Sequence, residues 1–295
     1  MISVVTPSLN QGAFVETAVR SVLHQDVDVE YVICDGGSTD GTTAVLERYA
    51  SQLAWWCSEP DDGQYDALQK GFAQTKGDIM GWLNADDFLL PGALKIVASV
   101  FAQHPEVEWV TGTMAPIANE AGGVFRIAPV TRFSRAAFFR GFNLPAGRWH
   151  AGTFIPQEST FWRRSLWERA GGRVETSLRL AGDFELWARF YAQAELYGVQ
   201  ALIGVYRSQP AQKTSTAMAE YLQEAERVLR AAGGRPFGER ETRLRRRAQR
   251  WLTNNRIWRL PTPVRAALEQ RELIFRTPEL IWRSGGWTLN TRYFV

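Results

Sequence analysis

The chain has 295 residues, 45% of them hydrophobic and 22% charged, with a formal net charge of +3. Such a composition is ordinary for a soluble globular protein of one large domain, or a domain with an appendage, and no run approaches the roughly 18 apolar residues of a membrane span. The charge is uneven: residues 235–295 hold fourteen arginines against five acids, which predicts a surface partner for the tail and argues against nucleic-acid binding by the whole chain.

Met1-Ile2-Ser3-Val4-Val5 starts directly as a strand, with no basic segment and no apolar signal region, so a cytoplasmic location is expected. Cys34 and Cys57 match no metal spacing and read as two buried thiols in a reducing compartment. The first strand, Ile2 to Val5, is followed by the polar turn Thr6 to Gly12. A helix then carries Phe14, Ala18 and Val22 on its apolar side. Val29 to Cys34 is a second strand, ending in Asp35-Gly36-Gly37-Ser38-Thr39-Asp40-Gly41-Thr42. Its glycines allow close backbone approach to a ligand, and Asp40 can cap the helix Thr42 to Tyr49. Asp35 is either a ligand contact or part of an ordinary strand–turn–helix junction. No G-x-G-x-x-G follows the first strand, which argues against a dinucleotide fold.

Leu53 to Cys57 reads as a third strand, and Asp66 to Thr75 as a helix carrying Lys70. The apolar run Ile79 to Leu83 has strand length and ends in Asn84-Ala85-Asp86-Asp87. Adjacent strand residues face opposite ways, so Asp86 and Asp87 converge on one ligand only if the strand has already ended. In open α/β sheets that place is the ligand crevice, and carboxylates there suit a hard divalent cation. Read alone, the pair is equally a turn before Pro91-Gly92. A helix through Leu94, Val97, Ala98 and Phe101 and a strand from Glu108 to Thr113 complete an alternation that predicts a mostly parallel sheet with helices on both faces.

Residues 116–156 break the alternation, with a hairpin expected near Gly122 and Gly123. Gln157 to Trp167 presents Glu158 as a polar candidate. Phe184, Trp187, Ala188 and Tyr191 recur at helical spacing, with Asp183 at the N-terminus, where a helix cap is the plain local reading. Gln200 to Tyr206 reads as a strand, and the helix Ala219 to Ala231 stops at Gly233-Gly234. In the tail a helix over 239–258 places Leu244, Ala248, Trp251, Leu252 and Trp258 on one side. Arg243, Arg246, Arg247 and Arg250 fall on the other. Such a basic amphipathic helix either lies on an anionic membrane surface or packs on the rest of the protein.

The order Thr6-Pro7-Ser8-Leu9-Asn10, then Asp35 to Thr42, then Asn84-Ala85-Asp86-Asp87 resembles the GT-A-fold glycosyltransferases of family 2, over about residues 1–215. The resemblance implies an α/β three-layer sandwich with a mostly parallel central sheet over 1–215, a connecting helix at 216–234, and an Arg/Trp-rich helical extension at 235–295. It implies that Thr6, Ser8, Asp35, Lys70 and Asp86 bind the donor, and that Asp87 with Asp86 holds a divalent cation, Mn2+ or Mg2+. Asp183 would be the catalytic base, with Glu158 and Trp187 on the acceptor side. The implied reaction is inverting transfer from a nucleotide-diphosphate sugar, by default a UDP-sugar. The acceptor would be a hydroxyl of a glycan or lipid-linked molecule in bacterial-type surface polysaccharide synthesis, at or near the inner face of the cell membrane.

Three positions depart from the family pattern. Asn84 stands where the first aspartate of the metal motif is frequent, and Gly182 replaces the glutamate before Asp183. No histidine lies near Gln209, and His24, His104 and His150 fit no ligand cluster. A nucleotidyltransferase would carry a Gly-rich basic loop after the first strand, whereas Thr6 to Gly12 has no Arg or Lys. A non-catalytic scaffold would need neither Asp183 nor the Asp86-Asp87 pair.

Overall fold

Short apolar runs alternate with helical spacing through the first third of the chain, and the structure builds them as a sheet between helices. In the computed structural model, residues 1–130, 132–144, 154–210, 212, 216–251 and 254–295 are described. Strands β1 (Ile2–Ser8), β2 (Val29–Asp35), β3 (Trp55–Ser58) and β4 (Ile79–Trp82) lie parallel in the order β3-β2-β1-β4. Parallel neighbours need crossovers, and α1 (Val15–Leu23), α2 (Thr42–Tyr49) and α3 (Gln64–Ala73) are those crossovers. Helices on both sides leave β1 no wet face, so all seven of its residues are buried. α1 turns Val15, Ala18, Val19 and Val22 inward. With α4 (Ala93–Gln103), reached through the short β5 (Phe88–Leu89), it covers one face of the sheet. α3 covers the other, where Leu68 and Phe72 join Trp82 and Trp162. Cys34 is buried, whereas Cys57 is only half-buried; both thiols are free.

Beyond residue 105 the sheet continues with mixed directions. β6 (Trp109–Ala118) and β7 (Val124–Pro129) form the hairpin expected at Gly122 and Gly123. After α5 (Arg135–Phe139), β8 (Thr160–Arg163) runs antiparallel between β4 and β6. α6 (Arg164–Arg169) and α7 (Gly182–Gln193) follow. β9 (Leu196–Leu202) is parallel to β6, and β10 (Gly204–Arg207) pairs with β5 and the end of β6. α8 (Met218–Ala231) sets Ala225 and Leu229 into the core shared by α3 and α7.

The tail starts helical, with α9 (Glu239–Trp251), α10 (Asn254–Trp258) and α11 (Thr262–Gln270). Helix extends only that far. β11 (Phe275–Arg283) and β12 (Gly286–Phe294) form a hairpin, and β11 runs parallel to β9, so the hairpin extends the main sheet. Its two turn residues, Ser284 and Gly285, have φ of 48° and 88°, as a two-residue I′ turn requires. The faces of α9 also differ from the helical wheel. Leu244 is 64% exposed, whereas Arg245 is buried. The Arg245 guanidinium lies 4.0 Å from the Phe237 ring centroid and donates to the Glu272 carbonyl. A flat cation stacked on an aromatic ring, with Nη2 paired to a carbonyl, can occupy a core position. Arg243 and Arg247 face solvent as expected. The side chains of Arg246, Arg250, Trp251 and Leu252, and all of His150, lie outside the described residues.

Candidate active site

β1 and β4 are neighbouring parallel strands, so the segments that follow them emerge at the same edge of the sheet. A cleft of about 360 Å³ opens there. Pro7 and Ser8 form one wall, Asn84 to Asp87 the floor, and Asp61 and Tyr65 a flank. Asp183, Gln209, Gln212 and Tyr221 also line it.

The turn after β4 is closed by the Asp87 N–H, which donates to the Asn84 carbonyl at 3.1 Å. Asp86 Oδ2 accepts from Gln209 Nε2 at 2.8 Å and from Gln212 Nε2 at 3.3 Å. Asp87 is buried, and its Oδ1 accepts from the Arg207 backbone N–H at 2.9 Å. Burial, and then the charges of Asp86 and Glu158, push the Asp87 carboxyl well above the usual range. The Arg207 side chain directs Nε and Nη1 to the Asp86 and Glu120 carbonyls rather than to these carboxylates. Two hard oxygen donors with like charge crowded together suit a divalent cation, the remaining ligands coming from phosphate oxygens and water. Among the described residues no third His, Cys, Asp or Glu joins them.

Asp183, the second residue of α7, lines the same cleft. The cap position is Ala181, with no side-chain hydrogen bond, so the helix does not use Asp183 as its cap. Oδ1 accepts from the Phe184 N–H at 2.7 Å and from the Tyr221 hydroxyl at 3.0 Å. Oδ2 has no hydrogen bond among the described residues. Burial pushes this carboxyl up to about 6. The result is a half-buried carboxylate, ionised at neutral pH, with one oxygen fixed by the protein and the other available to a ligand.

The other expected site residues are placed less directly. Ser8 lines the cleft, and its buried hydroxyl has no partner among the described residues. Thr6 is enclosed by the sheet, its hydroxyl sharing a 2.9 Å hydrogen bond with Tyr31. Asp35 is 1% exposed, and its carboxylate accepts from the Ser38 N–H at 2.9 Å and the Ser58 hydroxyl at 2.7 Å, so it shapes the strand-end turn. Lys70 is not among the residues lining the cleft; it pairs with Glu59 at 3.3 Å and, on its own helix, with Asp66 at 3.2 Å. Glu158 is buried, pushed up to about 7 by burial and by the Asp183 charge, and its neighbour Gln157 lines the cleft in its stead. Trp187 is a core residue rather than an acceptor contact. Its ring stacks on Trp82 and Trp109, with centroids at 6.2 and 5.6 Å, because the helical stripe it belongs to faces the sheet.

Asp61, Gln11 and Gln157 carry no sign of a cleft role in the sequence. Asp61 lies under Gly36, where a Cβ would meet its Oδ2 at 2.9 Å. Trp82 Nε1, Gln157 Oε1 and Gln11 Oε1 are buried polar atoms without a partner among the described residues, and all three side chains line the cleft. Unpaired buried polar atoms are costly unless a ligand or water meets them. Donors and acceptors mixed in this way suit a polyhydroxylated ligand.

Residues 3–169 match the profile of the family described as Glycosyl transferase family 2. An uncharacterized glycosyltransferase of Mycobacterium tuberculosis is 30% identical over 193 residues, covering 64% of this chain and 68% of the relative. S. aureus TarS 1-349, solved in complex with UDP-GlcNAc, superposes with a TM-score of 0.59 at 17% identity, over 91% of this chain and 77% of that one. Against a longer TarS chain, the protein spans 44% of the length. A mannosyltransferase from Pyrobaculum calidifontis, solved with GDP-Man and Mn2+, superposes with a TM-score of 0.50 at 18% identity, over 92% of this chain and 86% of the other. These structures share the GT-A fold with this chain.

Proposed function

This chain belongs to glycosyl transferase family 2, and we propose that it is an inverting, metal-dependent enzyme that moves a sugar from a nucleotide-diphosphate donor to an acceptor hydroxyl. The observation that supports this is that Asp183 and the Asp86-Asp87 pair line one cleft. Asp183 Oδ2 takes the proton of the acceptor hydroxyl as its oxygen attacks the anomeric carbon. A carboxyl near 6 is ionised at pH 7 yet more basic than an ordinary aspartate, which suits a general base. Asp86 and Asp87 hold the cation, which when bound supplies Lewis-acid stabilisation to the departing diphosphate. Gln209 and Gln212 orient the Asp86 carboxylate towards that task. Trp82 Nε1, Gln157 Oε1 and Ser8 Oγ give the sugar and ribose hydroxyls their partners.

A uridine diphosphate sugar is the favoured donor. The TarS complexes with UDP and UDP-GlcNAc support that choice, and the mannosyltransferase complex with Mn2+ supports the cation. The acceptor we favour is a glycan or lipid-linked molecule of a surface polysaccharide. In the tail, Arg243, Arg247, Arg259 and Arg271 are exposed, as are Leu244, Trp258, Val264 and Leu273, a mix of basic and apolar side chains that suits an anionic membrane face where such an acceptor resides. No helix among the described residues is long and apolar enough to cross a membrane. The test is a panel of nucleotide sugars assayed for donor hydrolysis, with and without manganese. Manganese-stimulated release of UDP from one or more UDP-sugars is expected; no hydrolysis of any nucleotide sugar in either condition would remove the proposal.

A further inference from the structure

α8 lies outside the matched family segment, yet its Tyr221 hydroxyl bonds the Asp183 carboxylate at 3.0 Å. Tyr221 and Glu224 are three residues apart, on one face of the helix. Glu224 is buried, and its carboxylate accepts three successive backbone N–H groups. Those of Leu180 and Ala181 reach Oε2, both at 2.9 Å, and that of Arg179 reaches Oε1 at 3.1 Å. Burial raises this carboxyl, but the three N–H groups more than offset it, so it stays below the usual range and remains an anion. From the other side the buried Tyr65 hydroxyl donates to the Leu180 carbonyl. Gly182 fits against the Tyr65 ring, where a Cβ would lie 2.7 Å from ring carbons. The segment before Asp183 is therefore clamped on both sides, and the Tyr221 hydroxyl reaches Asp183 itself.

We propose that α8 is the positioning element of the base: Glu224 braces residues 179–181, and Tyr221 holds Asp183 Oδ1 so that Oδ2 faces the cleft. Tyr221 acts through Asp183 and does not itself touch the reacting atoms. This deepens the assignment of Asp183 as base and rests on it. The ionisable groups packed about Asp183 are Tyr65 on α3, Glu158 before β8, and Tyr221 and Glu224 on α8. Both tyrosines are pushed well above their ordinary range by burial first and by the Asp183 charge. They are neutral donors throughout the working pH range. A hydrogen bond to the ionised form favours ionisation, so removing the Tyr221 hydroxyl should raise the Asp183 midpoint.

The experiment is a carboxyl carbon-13 NMR titration of the full chain, with the Asp183 resonance assigned by its loss in Asp183→Asn. Tyr221→Phe is expected to raise the midpoint by about one unit, as loss of a hydrogen bond to a charged group would. In the enzyme assay the acid limb of kcat/KM should move by the same amount with donor KM unchanged. A wild-type midpoint in Tyr221→Phe overturns the role of Tyr221. Glu224→Gln, which keeps one acceptor oxygen, is expected to speed amide exchange at Arg179 to Ala181 at least tenfold, whereas unchanged exchange overturns the brace. Neither NMR readout needs a substrate, so they separate this inference from the enzymatic one. If the midpoint moves but no nucleotide sugar is consumed, the positioning stands and glycosyl transfer falls.

Discussion

Replacing Asp183 by asparagine separates a catalytic carboxylate from a structural one, because the two roles predict opposite changes in stability. Asparagine keeps the size and an oxygen that can accept from the Phe184 N–H and the Tyr221 hydroxyl. It loses only the charge and the ability to take a proton. Asp183 titrates near 6 in the folded chain, against an ordinary value of 3.8. The folded state thus binds this proton more tightly than the unfolded chain does. The proton-linked stabilisation is complete below about pH 3.8 and is lost as pH rises through about 6. At neutral pH the ionised, buried carboxylate costs up to roughly 3 kcal/mol, from about two units at 1.36 kcal/mol each. Part of that is recovered through water in the open cleft. Asp183→Asn should therefore raise Tm at pH 7 by about 2–5 °C for a chain of this size, and the gain should vanish near pH 4. Turnover should fall by about a hundredfold or more. Calorimetric melts at pH 4 and pH 7, with nucleotide release measured on the same preparations, decide the matter. A lower Tm at pH 7 together with retained turnover would refute the reasoning and return Asp183 to a structural role.

Gly182→Ala drives a Cβ to 2.7 Å from the Tyr65 ring. It should cost about 1–3 kcal/mol in denaturant unfolding and lower kcat more than donor affinity. Wild-type stability and kcat in this variant would show that the contact does not matter. For the tail, the triple change Arg243→Glu, Arg247→Glu and Arg259→Glu should abolish low-salt pelleting with anionic liposomes while leaving donor hydrolysis intact. Each basic residue at such a surface is worth about 1 kcal/mol, screened by salt. Equal pelleting of variant and wild type, or none by the wild type, would reject the membrane contact.

The sequence located the floor of the site well, because a carboxylate just past a parallel strand has only one place to go. Ser8 ends β1, and Asp86 and Asp87 follow β4, so adjacency of those strands brings them to one cleft. Side-chain direction was less legible. Thr6 and Ser8 share the strand parity that a simple alternation would assign to one face, yet only Ser8, the last residue of β1, lines the cleft. Lys70 has Asp66 on its own helix and Glu59 in the preceding loop within reach, and those local partners win over a donor in the cleft. Tyr221 and Glu224 carry no local sign of their role, since their contacts lie 38 to 45 residues upstream. The terminal hairpin was legible in principle: Ser284-Gly285-Gly286 is a turn signal between two runs rich in aromatic and β-branched residues. The burial of Arg245 was not, because periodicity scores an arginine as surface whatever ring it stacks on.

The most direct test of the account is to measure UDP binding with manganese by calorimetry, and UDP release from the preferred sugar donor, in wild type, Asp87→Ala and Asp183→Asn. Wild type should bind and turn over. Asp87→Ala should lose metal-dependent binding and turnover together, and Asp183→Asn should bind as wild type does but fail to turn over. Undiminished metal-stimulated binding by Asp87→Ala, or undiminished turnover by Asp183→Asn, would contradict a cleft in which Asp87 serves donor binding and Asp183 takes the proton.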